Sequence, residues 1–353
     1  MNKTEAIIPL TSIRGFAALF VVWYHIAMSF TKQDFWFFHL FVNGDLSVDL
    51  FFVLSGFILH HVYKDKNIYQ NYKNFILNRI ARIYPLHIIT LFFLLILITL
   101  DQSVANNYKV IFSSTSFLLN LILVQNWGFI PPSWNMVSWS ISAEWFMYLL
   151  FPFMMYFSVF FKFNQKPLIY FFFSILLLSI YYLIICFFKL EGYGGISLGG
   201  MIRVFFEFSL GFCIYGLRVL LLKYRNINHS TLITALLCLG LISTLIWQNL
   251  LYLFLPISAV VILNLSMAEN KISHVFEKKI CVWLGEISYS LYMWHWIVIQ
   301  ILNYLIFKNI IKVEGKLGMF IYFVVVTALS IIIAHFSHKY IEVKGQKFFK
   351  SLS

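Results

Sequence analysis

The sequence predicts an all-α fold, a polytopic membrane bundle of about ten transmembrane helices. Of its 353 residues, 61% are hydrophobic and only 11% are charged, and the mean hydropathy is +0.83. Soluble domains carry roughly a quarter charged residues, so a water-soluble fold is excluded. Within lipid, only helices and closed β-barrels satisfy the backbone hydrogen bonds. Apolar runs such as residues 88–100 and 168–188 lack the alternating pattern of a barrel strand, which leaves the helical bundle.

The individual helices are predicted from apolar runs of about 20 residues, the length of one membrane crossing. These runs lie near residues 12–30, 45–62, 80–100, 135–160, 167–188, 198–217, 230–247, 250–267, 282–307 and 317–338. A further apolar stretch, residues 110–124, is shorter and carries a run of hydroxyl side chains. If it does not cross and the N terminus is cytoplasmic, most of the 26 Lys and Arg residues lie on the cytoplasmic side, as the positive-inside rule requires. We therefore predict that this stretch is re-entrant or interfacial and that both termini are cytoplasmic.

The net charge of +12 comes from basic residues in short loops between apolar runs, so it indicates topology rather than nucleic-acid binding. The four cysteines show no CxxC spacing, and no set of His, Cys or Asp residues has the spacing of a metal site. The polar loops are too short to fold alone. The chain is thus expected to form one transmembrane domain, residues 1–353, that binds neither a metal nor nucleic acid and has its chemistry within the bundle.

Ionisable residues inside apolar runs are candidates for function, because an unpaired charge in lipid is costly. Arg14 and His25 stand 11 residues apart in the first run. Eleven helical steps bring both side chains to one face with a rise of about 16 Å. Arg14 then lies at the cytoplasmic mouth and His25 high in the membrane. Alternatively, the Arg14 side chain only extends its guanidinium to the membrane–water interface, and His25 makes a hydrogen bond to a neighbouring helix.

Two acidic residues lie in later runs. Asp49, in GDLSVDLFFVLSGF, is expected at about the depth of His25, and an imidazole is a natural partner for a carboxylate there. Alternatively Asp49 caps its helix, although Asp45, nearer the edge, is the better candidate for a cap. Glu144, in SWSISAEWFMYLL, is expected two to three turns below the outer surface, with Ser140 one turn away to share a hydrogen bond. A buried carboxylate there indicates either function or a structural ion pair.

Arg79 and Arg82 begin the third run, in RIARIYPLH. Three residues apart on one helix, they form a fork suited to phosphate groups, although basic residues are also common at this membrane border. Arg203 and Glu207, at positions i and i+4, are typical of an embedded structural ion pair. His295, in LYMWHW, either lines one cavity with these ionisable side chains or makes an interhelical hydrogen bond.

Together these motifs resemble the integral-membrane acyltransferase-3 family, which O-acylates envelope polysaccharides and related acceptors. The matches run in family order along most of the chain: Arg14 and His25 in R-x10-H; Gly44, Val48, Asp49, Phe51, Phe52, Ser55 and Gly56; Arg79 and Arg82 in R-x-x-R; Trp139, Ser140 and Glu144; and GEISYSLYMWH, residues 285–295. Where the family often has a second acid after Glu144, this chain has Trp145. The resemblance implies the membrane module alone, without an SGNH-type esterase domain.

The resemblance also implies a reaction. An acyl-CoA donor, here acetyl-CoA, would bind from the cytoplasm, and a polysaccharide or glycolipid acceptor would be presented at the outer side of the plasma (inner) membrane. Arg14, Arg79 and Arg82 would hold the CoA phosphates. His25 would act as general base or carry the acyl group, with Asp49 or Glu144 orienting it.

Two other classes of function are compatible with buried charges in a helix bundle. One is a transporter or flippase for a glycan or small polar solute, although paired Gly- or Pro-broken helices in two corresponding halves are not evident. The other is a non-catalytic partner in a polysaccharide-export complex, which has no need of His25.

Overall fold

The computed structural model describes residues 6–30, 36–66, 68, 71–100, 111–129, 133–163, 166, 168–188, 198–222 and 230–351. All regular elements in these ranges are helical, as predicted. The α-helices are α1 Ile8–Met28, α2 Ser47–Tyr63, α3 Tyr72–Leu100, α4 Ser114–Leu121, α5 Trp139–Phe160, α6 Leu168–Phe188, α7 Leu198–Leu221, α8 Thr231–Ile246, α9 Phe254–Leu265, α10 Lys271–Phe276, α11 Lys279–Glu286, α12 Ser288–Phe307, α13 Gly315–Ser337 and α14 Val343–Lys350. A π-helical segment, His338–Glu342, joins α13 to α14.

Within the described ranges, eight helical segments are long and apolar enough to cross a membrane. They include α1, α2, α3, α5, α6, α7, α12 and α13. The runs predicted near residues 230–247 and 250–267 form shorter apolar helices, Thr231–Ile246 and Asn249–Leu265. The polytopic helical bundle is therefore confirmed, whereas the cytoplasmic placement of both termini stays a prediction.

In the shorter apolar stretch, residues 110–124, the described residues 111–124 contain only the eight-residue helix α4. At 1.5 Å per residue such a helix is about 12 Å long, well short of the roughly 30 Å hydrocarbon core. The Ser113 side chain caps it by accepting a hydrogen bond from the Ser116 amide. The segment therefore does not form a membrane-spanning helix, in agreement with the sequence-based prediction.

Glycine contacts bring two pairs of helices unusually close. On α2 and α7, a Cβ added to Gly56 would overlap the Phe208 carbonyl, and one added to Gly211 would overlap the Val53 carbonyl. On α1 and α11, Gly15 and Gly285 each lie against the backbone of the opposite helix. Small residues allow such close packing in membranes, where helix association depends on van der Waals contact. These contacts set the positions of α1 and α2, the two helices that carry Arg14, His25 and Asp49.

Candidate functional site

A cavity of about 150 Å³ lies among α1, α2, α3, α5 and α12. Its wall is largely apolar and aromatic, with side chains such as Phe52, Ile83 and Tyr289. Four Arg and Glu side chains also line it: Arg14, Arg79, Arg82 and Glu144. Three guanidiniums in one wall give the cavity an excess of positive charge, so it is suited to an anion.

The arginines come from two helices, α1 and α3, and the structure brings them together around one cavity. Arg79 lies against two aromatic rings, with its guanidinium carbon 5.9 Å from the Tyr63 centroid and 5.6 Å from the Tyr148 centroid. Its Nε is buried and makes no hydrogen bond within the described part of the chain. The Nε of Arg14 makes a long bond of 3.4 Å to the Leu10 carbonyl. Donors on both residues therefore remain available to a ligand.

Arg82 is also held by a buried acid from the end of the chain. Its Nη1 donates to Oε2 of Glu342 at 3.1 Å, and the Glu342 side chain is fully buried whereas Arg82 is 31% exposed. Ser290 on α12 donates to the other Glu342 oxygen. Sequence reasoning missed this role of Glu342, although an acid after the last apolar run was visible. The ion pair fixes one arginine of the cavity to α12 and the π-helical segment.

Glu144 lies in this cavity on α5, one helical turn before Tyr148. The hydroxyls of Ser55 and Tyr148 both donate to Oε1 of Glu144, the latter at 2.6 Å. Ser140, the predicted partner, instead donates to the Val137 carbonyl and to the Tyr292 hydroxyl. That expectation was wrong because Ser140 turns toward α12. The hydrogen bonds of Glu144 also place it with the arginines and not beside His25.

His25 pairs with a second histidine. Its Nδ1 lies 3.0 Å from the Val21 carbonyl and 3.2 Å from Nε2 of His295 on α12. Nδ1 of His295, a fully buried residue, lies 3.2 Å from the Leu291 carbonyl. Arg14 lines the cavity together with Tyr292 of α12, and His25 meets His295 of the same helix, so both side chains lie toward α12. The His295 alternative of an interhelical hydrogen bond is confirmed.

Asp49 does not pair with His25, which corrects the sequence-based expectation. The Asp49 carboxylate accepts hydrogen bonds from Nε and Nη2 of Arg203 on α7, the former at 2.7 Å. Arg203 also forms the predicted ion pair with Glu207, at 3.4 Å. All three side chains are buried, so α2 and α7 share one guanidinium between two carboxylates. Leu46, not Asp45, stands at the N-cap position of α2.

Two aromatic residues separate the arginine-lined cavity from the histidine pair. Phe51 and Tyr292 both line the cavity, and their ring centroids are 6.2 Å apart. The Tyr292 ring is in turn 5.7 Å from the His295 ring. His25 itself does not line the cavity. The cationic end and the histidine end therefore lie along one side of α1, with this aromatic pair between them.

The described side chains offer chemistry that is based on protons and hydrogen bonds. Among them, no group of three or more His, Cys, Asp or Glu residues could hold a metal ion. The histidine pair can accept a proton from a hydroxyl, and the cavity can bind a phosphorylated group.

Comparison with known proteins gives an independent indication. Residues 9–335 match a family model described as an acyltransferase domain. The acyltransferase MdmB of Streptomyces mycarofaciens is 35% identical over 151 residues, or 40% of this chain and 38% of MdmB. A Staphylococcus aureus (strain COL) protein named as an O-acetyltransferase is 24% identical, over 98% of this chain and 60% of that protein. The matched regions thus cover less than two thirds of either relative. No solved structure matches the chain.

Proposed function

The chain belongs to the acyltransferase-3 family, and from this premise we propose that it transfers an acetyl group from acetyl-CoA to a hydroxyl of an envelope or exported polysaccharide. Membership of this family makes the chain an acyltransferase, which favours an enzyme over a transporter, a flippase or an assembly partner. The observation that carries the finer proposal is the grouping of Arg14, Arg79 and Arg82 around one cavity.

The cavity suits the phosphate end of the donor. Coenzyme A carries several phosphate charges, and charge-assisted hydrogen bonds from arginine are among the strongest available to a protein. The unpaired Nε of Arg79 is a buried donor whose desolvation a phosphate oxygen would compensate. We assign these arginines to the donor, on the side of the membrane that the positive-inside rule makes cytoplasmic.

His25 is the group we assign to the chemistry. In direct transfer, the acceptor hydroxyl oxygen attacks the thioester carbonyl, a C–O bond forms and the C–S bond breaks. The hydroxyl proton passes to His25, which returns it to the leaving thiolate of coenzyme A. In the alternative route a ring nitrogen of His25 attacks the thioester, a C–N bond forms and the C–S bond breaks, which releases the thiolate of coenzyme A. The acceptor hydroxyl then attacks the acetyl group, the new ester C–O bond replaces the C–N bond, and the hydroxyl proton passes to the thiolate. Both routes need an unprotonated ring nitrogen on His25.

The thioester has to pass Phe51 and Tyr292 to reach His25. The rise of about 16 Å along α1 between Arg14 and His25 is a distance that an extended pantetheine arm can cover. The acceptor would approach His25 from the opposite membrane face. His25 is only partly buried, which is compatible with access from that side.

Purified protein in nanodiscs, incubated with acetyl-labelled acetyl-CoA and a mixture of cell-envelope glycans, tests the proposal. We expect release of coenzyme A and label on a glycan, and we expect the His25→Ala variant to lose both. His274→Ala is the matched control, because His274 lies on the surface and its imidazole pairs with Glu277, one turn away. Retained transfer in His25→Ala, or no acetyl transfer by the parent protein to any glycan, would reject the proposal.

Mass spectrometry of envelope glycans identifies the acceptor. Glycans from a deletion strain should lack acetyl groups that the parent strain carries, and complementation with His25→Ala should not restore them. Glycans that are identical in both strains would reject a polysaccharide acceptor. The labelled assay would still decide whether the protein turns over acetyl-CoA.

A further inference from the structure

We propose that His295 is a positioning residue for His25: by accepting a hydrogen bond from Nδ1 of His25, it keeps Nε2 of His25 unprotonated for the reaction. The inference rests on the proposed function for its catalytic consequence. The juxtaposition itself is a feature of α1 and α12, whose two imidazoles are 3.2 Å apart at their nearest nitrogens.

Backbone carbonyls determine which nitrogen carries each proton. A carbonyl oxygen can only accept, so Nδ1 of His295, 3.2 Å from the Leu291 carbonyl, is the protonated nitrogen. In the neutral ring, Nε2 of His295 then has the lone pair. Nδ1 of His25 faces both that lone pair and the Val21 carbonyl, at 3.2 and 3.0 Å, so it too bears hydrogen. The remaining nitrogen of His25, Nε2, is left with the lone pair that a base or nucleophile needs.

A carboxylate usually orients a catalytic histidine in this way. Here the two candidate acids are engaged elsewhere, because Asp49 pairs with Arg203 and Glu144 accepts from Ser55 and Tyr148. The His295 ring is fully buried and also packs 5.7 Å from Tyr292, so its position is fixed. The neutral imidazole of His295 therefore orients His25 in place of a carboxylate.

The uncharged acceptor has a chemical consequence. A carboxylate would stabilise the imidazolium that forms when His25 takes the hydroxyl proton, whereas His295 offers only a neutral lone pair. The protonated His25 is therefore held less tightly and returns its proton more readily to the thiolate of coenzyme A. This arrangement suits a base that must give up its proton within the same reaction cycle.

Two substitutions separate orientation from packing. His295→Leu fills the site but cannot accept the hydrogen bond, whereas the side-chain oxygen of His295→Gln can accept it at about the same place. We expect His295→Leu to lower kcat about 100-fold with KM for acetyl-CoA within about twofold of the parent. We expect His295→Gln to recover most of the lost kcat. Both proteins should remain monodisperse with the parent helix content.

Nitrogen-15 NMR of histidine-labelled protein reads the tautomer directly. The His25 signals are identified as those lost in His25→Gln. In the parent and in His295→Gln they should report a protonated Nδ1 and an unprotonated Nε2. In His295→Leu only the Val21 carbonyl remains as acceptor for Nδ1, so the share of this tautomer should fall.

Three results would overturn the inference: an unchanged kcat in His295→Leu, equal losses in the leucine and glutamine variants of folded protein, or a parent His25 protonated at Nε2. If the parent protein does not transfer acetyl groups at all, the proposed function fails, while the NMR comparison still decides whether His295 sets the tautomer.

Discussion

The Tyr148 hydroxyl donates a 2.6 Å hydrogen bond to Glu144, and it does so inside a cavity whose other charged residues are arginines. A carboxylate repels phosphate, so its presence in the proposed coenzyme A pocket requires a reason. Ser55 and Tyr148 hold it in place through Oε1. We infer that Glu144 balances part of the arginine charge, which would otherwise be repulsive in a largely apolar wall when the cavity is empty.

Replacing Glu144 with Gln should therefore strengthen the binding of coenzyme A. The amide oxygen still accepts from Ser55 and Tyr148, so the local structure is kept, while one negative charge facing the phosphates is removed. We expect Kd for coenzyme A to fall about threefold to tenfold at low salt, with a smaller change at high salt. Equilibrium binding of labelled coenzyme A measures this. Glu269→Gln, which makes the same change at an exposed site, is the control, and weaker binding by Glu144→Gln would contradict the counter-charge role.

Arg79→Ala should weaken the binding of coenzyme A. The buried Nε of Arg79 has no hydrogen-bond partner among the described residues, so the substitution removes a hydrogen bond to a phosphate with little internal disruption. A charge-assisted bond contributes about 1.5–3 kcal/mol, and we expect Kd for coenzyme A to rise at least about tenfold and its salt dependence to decrease.

Lys73→Ala provides the matched control for this measurement. Lys73 is an exposed basic residue on the same helix and does not line the cavity, so its loss should leave Kd within about twofold of the parent. Equal effects of the two substitutions would mean that only general surface charge attracts the donor. Arg82→Ala is a poorer probe, because it also leaves Glu342 buried without its cation.

The helical bundle and the fork formed by Arg79 and Arg82 could be predicted because each depends on a single segment. Hydropathy identifies a membrane helix without knowledge of its neighbours, and 11 residues on one helix fix the shared face of Arg14 and His25. The Arg203–Glu207 pair follows in the same way from its i, i+4 spacing. The rise along one helix is likewise set by the residue count.

The partners of His25 and Asp49 could not be predicted, because they lie on other helices. Equal depth in the membrane was the basis for pairing these two residues, but depth leaves the rotation of each helix undetermined. The close approach of α2 and α7 at Gly56 and Gly211 brings Asp49 to Arg203 instead. His295 was recognised only as a candidate, since its helix begins more than 250 residues after α1. Interhelical packing, which one sequence does not reveal, decided both contacts.

Arg203→Leu should destabilise the folded protein strongly. It removes the cation shared by Asp49 and Glu207 and leaves two buried carboxylates facing each other. Breaking a buried ion pair from one side costs about 3–5 kcal/mol. We expect a marked fall in the apparent Tm in detergent, measured as the temperature at which half of the monodisperse protein is lost.

Asp49→Asn tests whether Asp49 has a structural role. The amide oxygen can still accept from Arg203, and one of two carboxylates that share a guanidinium is neutralised, so we expect a much smaller fall in Tm than for Arg203→Leu. Acetyl transfer per folded molecule should remain within about threefold of the parent. If Asp49→Asn lost acetyl transfer as completely as His25→Ala while keeping the parent Tm, Asp49 would have a catalytic role. Glu286→Gln, at an exposed position, controls for loss of a carboxylate.

Alanine substitutions at three glycines test how helix contacts position the site. Gly56→Ala and Gly211→Ala each place a methyl group against a backbone carbonyl of the facing helix, and a backbone cannot move aside as a flexible side chain can. The α2 and α7 helices must then separate, and overpacking of this kind costs about 1–3 kcal/mol. Because Asp49 and Ser55 lie on α2, the separation should lower both the apparent Tm and the affinity for coenzyme A.

Gly240 in α8 provides the control. A Cβ on Gly240 meets only Ile257, at 3.9 Å. Gly240→Ala should therefore leave Tm unchanged or raise it, since alanine favours a helix over glycine by about 0.5–1 kcal/mol. Equal Tm values for all three variants would mean that the glycine contacts do not hold α2 and α7 together.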